Sequence, residues 1–135
     1  MIAFSILGIP VAKGRPKFFR RGNFMGTYTP ARTRHYEDSV ISQALKYKPE
    51  KPLICPLAVR LRFYLPIPLS FSKKRQKQAQ EGILRPAKRP DLDNLIKMLD
   101  SFNTIFWQDD RQIVSIQAEK IYGEQPRTEI EIEEI

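Results

Sequence analysis

The chain has one cysteine and one histidine in 135 residues. A lone Cys55 excludes an internal disulfide and a cysteine-built zinc site, and it reads as a small buried apolar residue. His35 reads as structural or solvated. No apolar run approaches the ~20 residues needed to span a bilayer, which weighs against a membrane protein. The first eight residues are too short and lack the charged start of a signal peptide, so they read as a strand in a cytoplasmic protein. Acids are scarce where bases are plentiful: residues 1–90 hold nineteen Lys and Arg against four Asp and Glu. Residues 91–135 reverse the balance, with four bases and eleven acids. Internal repeats and linkers long enough to divide domains are both missing, so residues 1–135 fit one compact domain.

The net charge of +8 and pI near 9.8 point to a polyanionic partner, with nucleic acid ahead of a membrane surface. Candidate contacts follow the cations. Residues 10–23 form a loop or ragged hairpin carrying Lys13, Arg15, Lys17, Arg20 and Arg21, with Phe18 and Phe19 between them. Cations interleaved with aromatics suit a phosphate backbone and unstacked bases, although the two phenylalanines themselves read as core. Arg32 and Arg34 fall on the first turns of a helix over 30–47, which Thr29 caps and Pro30 opens. Cations there oppose the helix dipole and suit a bound phosphate. Lys73, Lys74 and Arg75 begin a polar helix capped by Ser70 or Ser72, and Lys88 and Arg89 lie in an extended, proline-rich stretch.

Leu57, Val59, Leu61, Phe63 and Leu65 alternate with Arg60 and Arg62, the pattern of a strand with one buried face. Strands are also predicted over 2–8, 112–122 and 128–135, and a helix from about Asp93 to Asn103 with Leu95, Met98, Leu99 and Phe102 inward. Trp107 reads as core or wall. The order strand, helix, strand, small helix, helix, strand, strand predicts an α+β domain. It has one mixed sheet of about four strands and helices packed mainly on one face.

The chemistry gathers in Arg89-Pro90-Asp91-Leu92-Asp93-Asn94-Leu95-Ile96-Lys97 and in Trp107-Gln108-Asp109-Asp110. Either acid pair alone fits a helix cap or a turn. Together they describe a hard-cation site. Asp91 in extended chain and Asp93 as cap converge on one point, Lys97 lies one turn beyond Asp93, and Asp110 or Asp109 returns from the turn. Oxygen ligands of this kind select Mg²⁺, with Mn²⁺ as the alternative, over zinc. Such an ion reconciles clustered carboxylates with a polyanion by bridging them to phosphate, and Lys97 stabilises developing charge or orients water. Asp100, mid-helix, reads as a solvated charge.

These motifs resemble the RusA family of Holliday junction resolvases. The first is similar to that family's Asp-x-Asp-Asn-Leu-x-Lys run. The second is Phe106-Trp107-Gln108-Asp109-Asp110-Arg111-Gln112-Ile113-Val114, similar to its acid pair before a strand. Pro10-Val11-Ala12-Lys13-Gly14-Arg15-Pro16 and Thr27-Tyr28-Thr29-Pro30 also look like segments of phage-type members. The resemblance implies a homodimeric, Mg²⁺- or Mn²⁺-dependent endonuclease with a RusA-like fold. It would cut branched, four-way DNA by paired symmetric nicks, in recombination and repair. It implies that Asp91, Asp93 and Asp110 are the metal-binding catalytic aspartates and Lys97 the catalytic lysine, with Asp109 a neighbour. One departure stands beside the chemistry: Pro90 precedes Asp91 where the best-known members have a basic residue, and Arg89 carries the charge one position earlier. Two other classes remain. One is a non-catalytic basic module that binds DNA or RNA. The other is a structural partner whose acidic last strand, Glu129 to Glu134, docks a basic protein.

Overall fold

The alternation at 57–65 becomes β4 (Leu57–Pro66), the strand on which the sheet is built. The computed structural model describes residues 1–14 and 16–135; Arg15, one of the candidate DNA contacts, lies outside them. β4 runs antiparallel to β6 (Arg127–Glu134) on one side and parallel to β5 (Ile113–Gly123) on the other. β1 (Ile2–Leu7) completes the sheet by pairing antiparallel with β6, giving the order β1-β6-β4-β5. A parallel pair needs a long crossover, and residues 67–112 supply it while carrying both acidic motifs.

The register places Val59 opposite Ile132 and Ile116, and Leu61 opposite Ile130 and Ala118. Leu57, Leu61 and Phe63 are completely buried on this face. Covering them are α1 (Ala31–Ala44), through Val40 and Ala44, and a 3-10 helix at Lys97–Phe102, through Met98, Leu99 and Phe102. Phe106 and Trp107 fill the remaining space, and the Trp107 indole N–H donates to Asn103 Oδ1 at 2.8 Å. Each such side chain contributes about 1.5–3 kcal/mol by leaving water. Cys55 is half-buried against this core. A satellite cluster of Leu65, Ala79 and Tyr122 seats α2 (Lys73–Gln80) against the far end of β4 and β5.

The opposite face of the sheet is a lattice of paired charges. Arg60 reaches Gln117 at 3.0 Å and Glu131 at 3.7 Å, and Arg62 reaches Glu119 at 3.2 Å. The Tyr64 hydroxyl donates to Glu129 at 2.9 Å, and the Arg127 guanidinium lies 3.7 Å from the centre of the Tyr64 ring. Exposed pairs of this kind stabilise by only about 0–1 kcal/mol each. Their functional consequence is larger, because they neutralise this face and leave the excess positive charge to the loops and helix starts.

The basic segment at 10–23 continues into a hairpin, β2 (Lys17–Arg21) and β3 (Phe24–Tyr28), which forms its own two-stranded sheet. Here the expectation that Phe18 and Phe19 are core residues is overturned: Phe18 is exposed, and the Phe19 ring packs on Gly26 between Phe24 and Tyr28 of the same hairpin. α1 also starts one residue later than predicted, with Pro30 at the N-cap and no side-chain capping bond. Of the two predicted caps it is Ser72 that serves, its Oγ accepting from the Arg75 N–H at 3.3 Å. Ser72→Ala is expected to destabilise the protein by about 1 kcal/mol, measured as a lower midpoint in urea with an unchanged slope.

Candidate active site

The first acidic motif opens α3 (Leu92–Ile96), a single helical turn. Leu95 is buried and pins the turn to the core, so Asp91, Asp93 and Lys97 are left facing out. The expected cap shifts by two residues. Asp91, not Asp93, holds the N-cap position, in extended conformation and without a side-chain capping bond. Asp93 lies within the first turn, where a negative charge is favoured by the exposed N–H groups. Lys97 is the next residue after α3, and its ammonium donates to Asn94 Oδ1 at 3.0 Å. Asn94 thereby fixes the lysine that the sequence placed beside Asp93. The chain reaches Asp91 through a cis Arg89–Pro90 peptide. The Lys120 ammonium, on β5, donates to Lys88 O at 2.8 Å and Pro90 O at 2.9 Å.

The second motif is built differently. Asp109 caps a short 3-10 turn at Asp110–Gln112, its Oδ1 accepting from the Arg111 N–H at 2.9 Å. That hydrogen bond holds the Asp109 pKa below the usual carboxylate range. Gln112 closes the box by accepting from the Asp109 N–H at 3.0 Å and donating to Leu53 O at 2.8 Å. Asp109 is therefore committed to the turn, which leaves Asp110 as the aspartate of this pair without a capping role. The Asp110 pKa is raised, first by a hydrogen bond with Asp100, then by burial and by Asp109.

Asp100 is thus not the isolated solvated charge that its sequence position suggested. The segment carrying it winds as a 3-10 helix. Over the three residues from Lys97, that tighter winding turns a side chain by about 60° relative to an α-helix. Asp100 faces Asp110 on one side and the Lys13 ammonium at 3.5 Å on the other. Lys13 also lies 3.6 Å from Glu37 Oε1, a buried oxygen with no hydrogen bond. The Lys13 N–H donates to Asn94 O at 3.0 Å, tying the N-terminal loop to α3. Lys13, read from the sequence as a DNA contact, is engaged with carboxylates.

A groove of about 860 Å³ runs past this site, between the N-terminal loop, the start of α1 and the strap before Asp91. Lys17, Arg32, Lys88 and Arg89 line it, and Asp91 is the one acid on its wall among the described residues. Of the other candidate contacts, Arg34, Lys73 and Lys74 are exposed on helix starts. The Arg75 guanidinium lies 4.1 Å from the centre of the Phe71 ring. Arg20 bonds Gly22 O through Nε, and Arg21 sits 6.0 Å from the Phe19 ring centre. Among the described residues no three His, Cys, Asp or Glu side chains converge as a ready-made metal cluster. The donors at the helix start are nonetheless all oxygen, which fits a hard divalent cation in chemistry. The described helices include none long and apolar enough to cross a membrane.

An α+β scaffold with a carboxylate-bearing helix start on the wall of a groove that Lys17, Arg32, Lys88 and Arg89 also line defines the structural class. Comparison with known proteins makes the class particular. Residues 8–133 match the family model described as Endodeoxyribonuclease RusA, and the chain belongs to that family. It is 35% identical to the uncharacterized protein YqaN of Bacillus subtilis (strain 168), over 99% of this chain and 96% of that one. It is also 35% identical to the crossover junction endodeoxyribonuclease rusA of Lactococcus phage r1t, over 95% of this chain and 86% of that one.

Proposed function

We propose that the protein is a divalent-metal-dependent endonuclease that resolves four-way DNA junctions by paired symmetric nicks, acting as a homodimer in recombination and repair. The observation that carries this reading is the position of Asp91 on the wall of a groove whose other charged lining residues are Lys17, Arg32, Lys88 and Arg89, among the described residues, in a chain of the RusA family. Lys17, Arg32, Lys88 and Arg89 draw the phosphate backbone into the groove, and the self-neutralised outer face of the sheet does not compete for it. Asp91, Asp93 and Asp110 would hold Mg²⁺ or Mn²⁺, which when bound polarises a phosphodiester and activates water. Asn94 orients Lys97 so that its ammonium offsets charge building on the phosphate. A two-fold dimer matches the near two-fold symmetry of a four-way junction.

The test is cleavage of a fixed four-way junction against a linear duplex of the same arms, with Mg²⁺, Mn²⁺ or chelator. Paired nicks on the junction, lost in chelator, are the expected result. Salt-sensitive binding with no cleavage under any metal would instead establish a non-catalytic binding module. The raised Asp110 pKa gives a second check. A carboxylate must be ionised to hold a cation, so cleavage falls as pH drops through the Asp110 pKa. Asp100→Asn replaces the facing carboxylate with an amide whose N–H groups favour the ionised form. The acid limb of the pH–rate profile is therefore expected to move to lower pH, and an unmoved limb would remove Asp110 from the reaction.

A further inference from the structure

The β2–β3 hairpin carries large apolar side chains that no other described residue covers. Phe18 is 77% exposed, Phe24 63% and Met25 66%. No hairpin side chain joins either core cluster. Among the described residues, no hydrogen bond or ion pair joins residues 17–28 to the rest of the protein. A two-stranded hairpin on its own is marginal in water, and exposed apolar surface concentrated in this way marks a contact site.

The two faces of the hairpin differ. Register puts Phe19 across from Gly26, and the Phe19 ring lies over that glycine so closely that an added Cβ would sit 2.7 Å from it. Phe24 and Tyr28 flank the same ring at centroid distances of 6.0 and 6.2 Å. This face is therefore filled by its own aromatics. Strand alternation places Phe18 and Met25 on the other face, with Arg20 paired to Met25 across the strands. That face is an uncovered flat apolar surface with a cation beside it.

We propose that this bare face is a stacking platform for unpaired bases at the branch point of the DNA. The proposal rests on the junction-binding reading above and adds how a branch is told from a duplex. Two observations choose the occupant. Residues 1–36 contain no Asp or Glu, and the hairpin itself carries Lys17, Arg20 and Arg21, so a second copy meeting it hairpin to hairpin presents like charge and a polyanion presents opposite charge. Lys17, at the base of β2, also lines the groove that holds Asp91, so a strand following the groove is led onto the hairpin. A base-paired duplex has no free base faces to offer Phe18. A branch point, where pairs open, does.

The experiment compares the wild type with a Phe18→Ala/Met25→Ala double variant, in chelator, on a four-way junction with 2-aminopurine at the branch and on the matched linear duplex. Junction affinity is expected to weaken about tenfold or more, with duplex affinity unchanged. The 2-aminopurine fluorescence change seen with the wild type should disappear, and Phe18→Trp should restore it. Both side chains are exposed, so thermal stability should not move. Wild-type junction affinity and fluorescence in the double variant, beside a wild type that binds and cuts, would overturn the platform and leave the nuclease reading intact. A double variant altered only in sedimentation would assign the face to a second copy and equally overturn it. A wild type that binds no DNA would overturn both.

Discussion

Asp93→Asn is expected to reduce junction cleavage by at least about 10²-fold while keeping or tightening junction binding. The side chain is exposed in the first turn of α3 and, among the described residues, has no hydrogen-bond or ion-pair partner. The substitution is nearly isosteric, and its structural cost is limited to the loss of a favourable charge at a helix start, about 0.3–1 kcal/mol. On the proposed mechanism, a carboxylate without a structural partner is a net liability beside phosphate until a cation joins it, and its removal would cost the ion and relieve that repulsion in one step. Single-turnover cleavage and chelator-phase binding measured on the same preparation separate the two effects. Asp109→Asn is the internal contrast. Asparagine caps as well as aspartate does, and Asp109 is committed to the Arg111 N–H, so this variant should fold and retain most of its cleavage. Equal losses for both variants would mean that charge in the region, rather than the particular carboxylate, governs the activity.

The difference between those two aspartates was only half legible in the sequence. The β4 alternation, the inward set Leu95, Met98, Leu99 and Phe102, and a serine cap at 70 or 72 depend on local periodicity and local hydrogen bonds, and they fold as predicted, with Ser72 as the cap. What local pattern could not supply was anything decided across the chain. The α3 start falls at Asp91, behind a strap whose Pro90 carbonyl is bonded by Lys120, thirty residues further along. The 3-10 winding of Lys97–Phe102 buries the same apolar residues as an α-helix would, so the hydrophobic pattern is silent about it, yet the winding decides that Asp100 meets Asp110. Phe18 and Phe19 looked like core residues because aromatic side chains usually are. Their absence from the core follows from a hairpin that forms its own two-stranded sheet, on which Phe18 is exposed and Phe19 packs against hairpin residues. The ion pairs of Lys13 were not legible either, because Glu37 and Asp100 lie far from it in sequence.

Lys120→Met is expected to lower cleavage about 10–100-fold, the usual cost of losing a group that orients metal-site residues, with little change in junction affinity. Register sets Lys120 opposite Phe63, on the core face of β5 between Ala118 and Tyr122. A lysine among apolar neighbours calls for a partner, and it has two: the Lys88 and Pro90 carbonyls, at 2.8 and 2.9 Å. These carbonyls bracket Arg89 and immediately precede Asp91, so one ammonium sets both the course of a groove-lining arginine and the position of the first aspartate. Charge-assisted bonds of this kind are stronger than neutral ones. Methionine keeps the bulk of the side chain and removes only the donors, leaving two carbonyls to find water or move. Lost strap geometry should raise the Mg²⁺ concentration needed for half-maximal cleavage. A purely structural role would lower the melting temperature and leave that midpoint in place. Lys120→Arg, which can donate to both carbonyls, should recover most of the metal response. A Met variant with a wild-type metal titration would show that Asp91 holds its place without the strap.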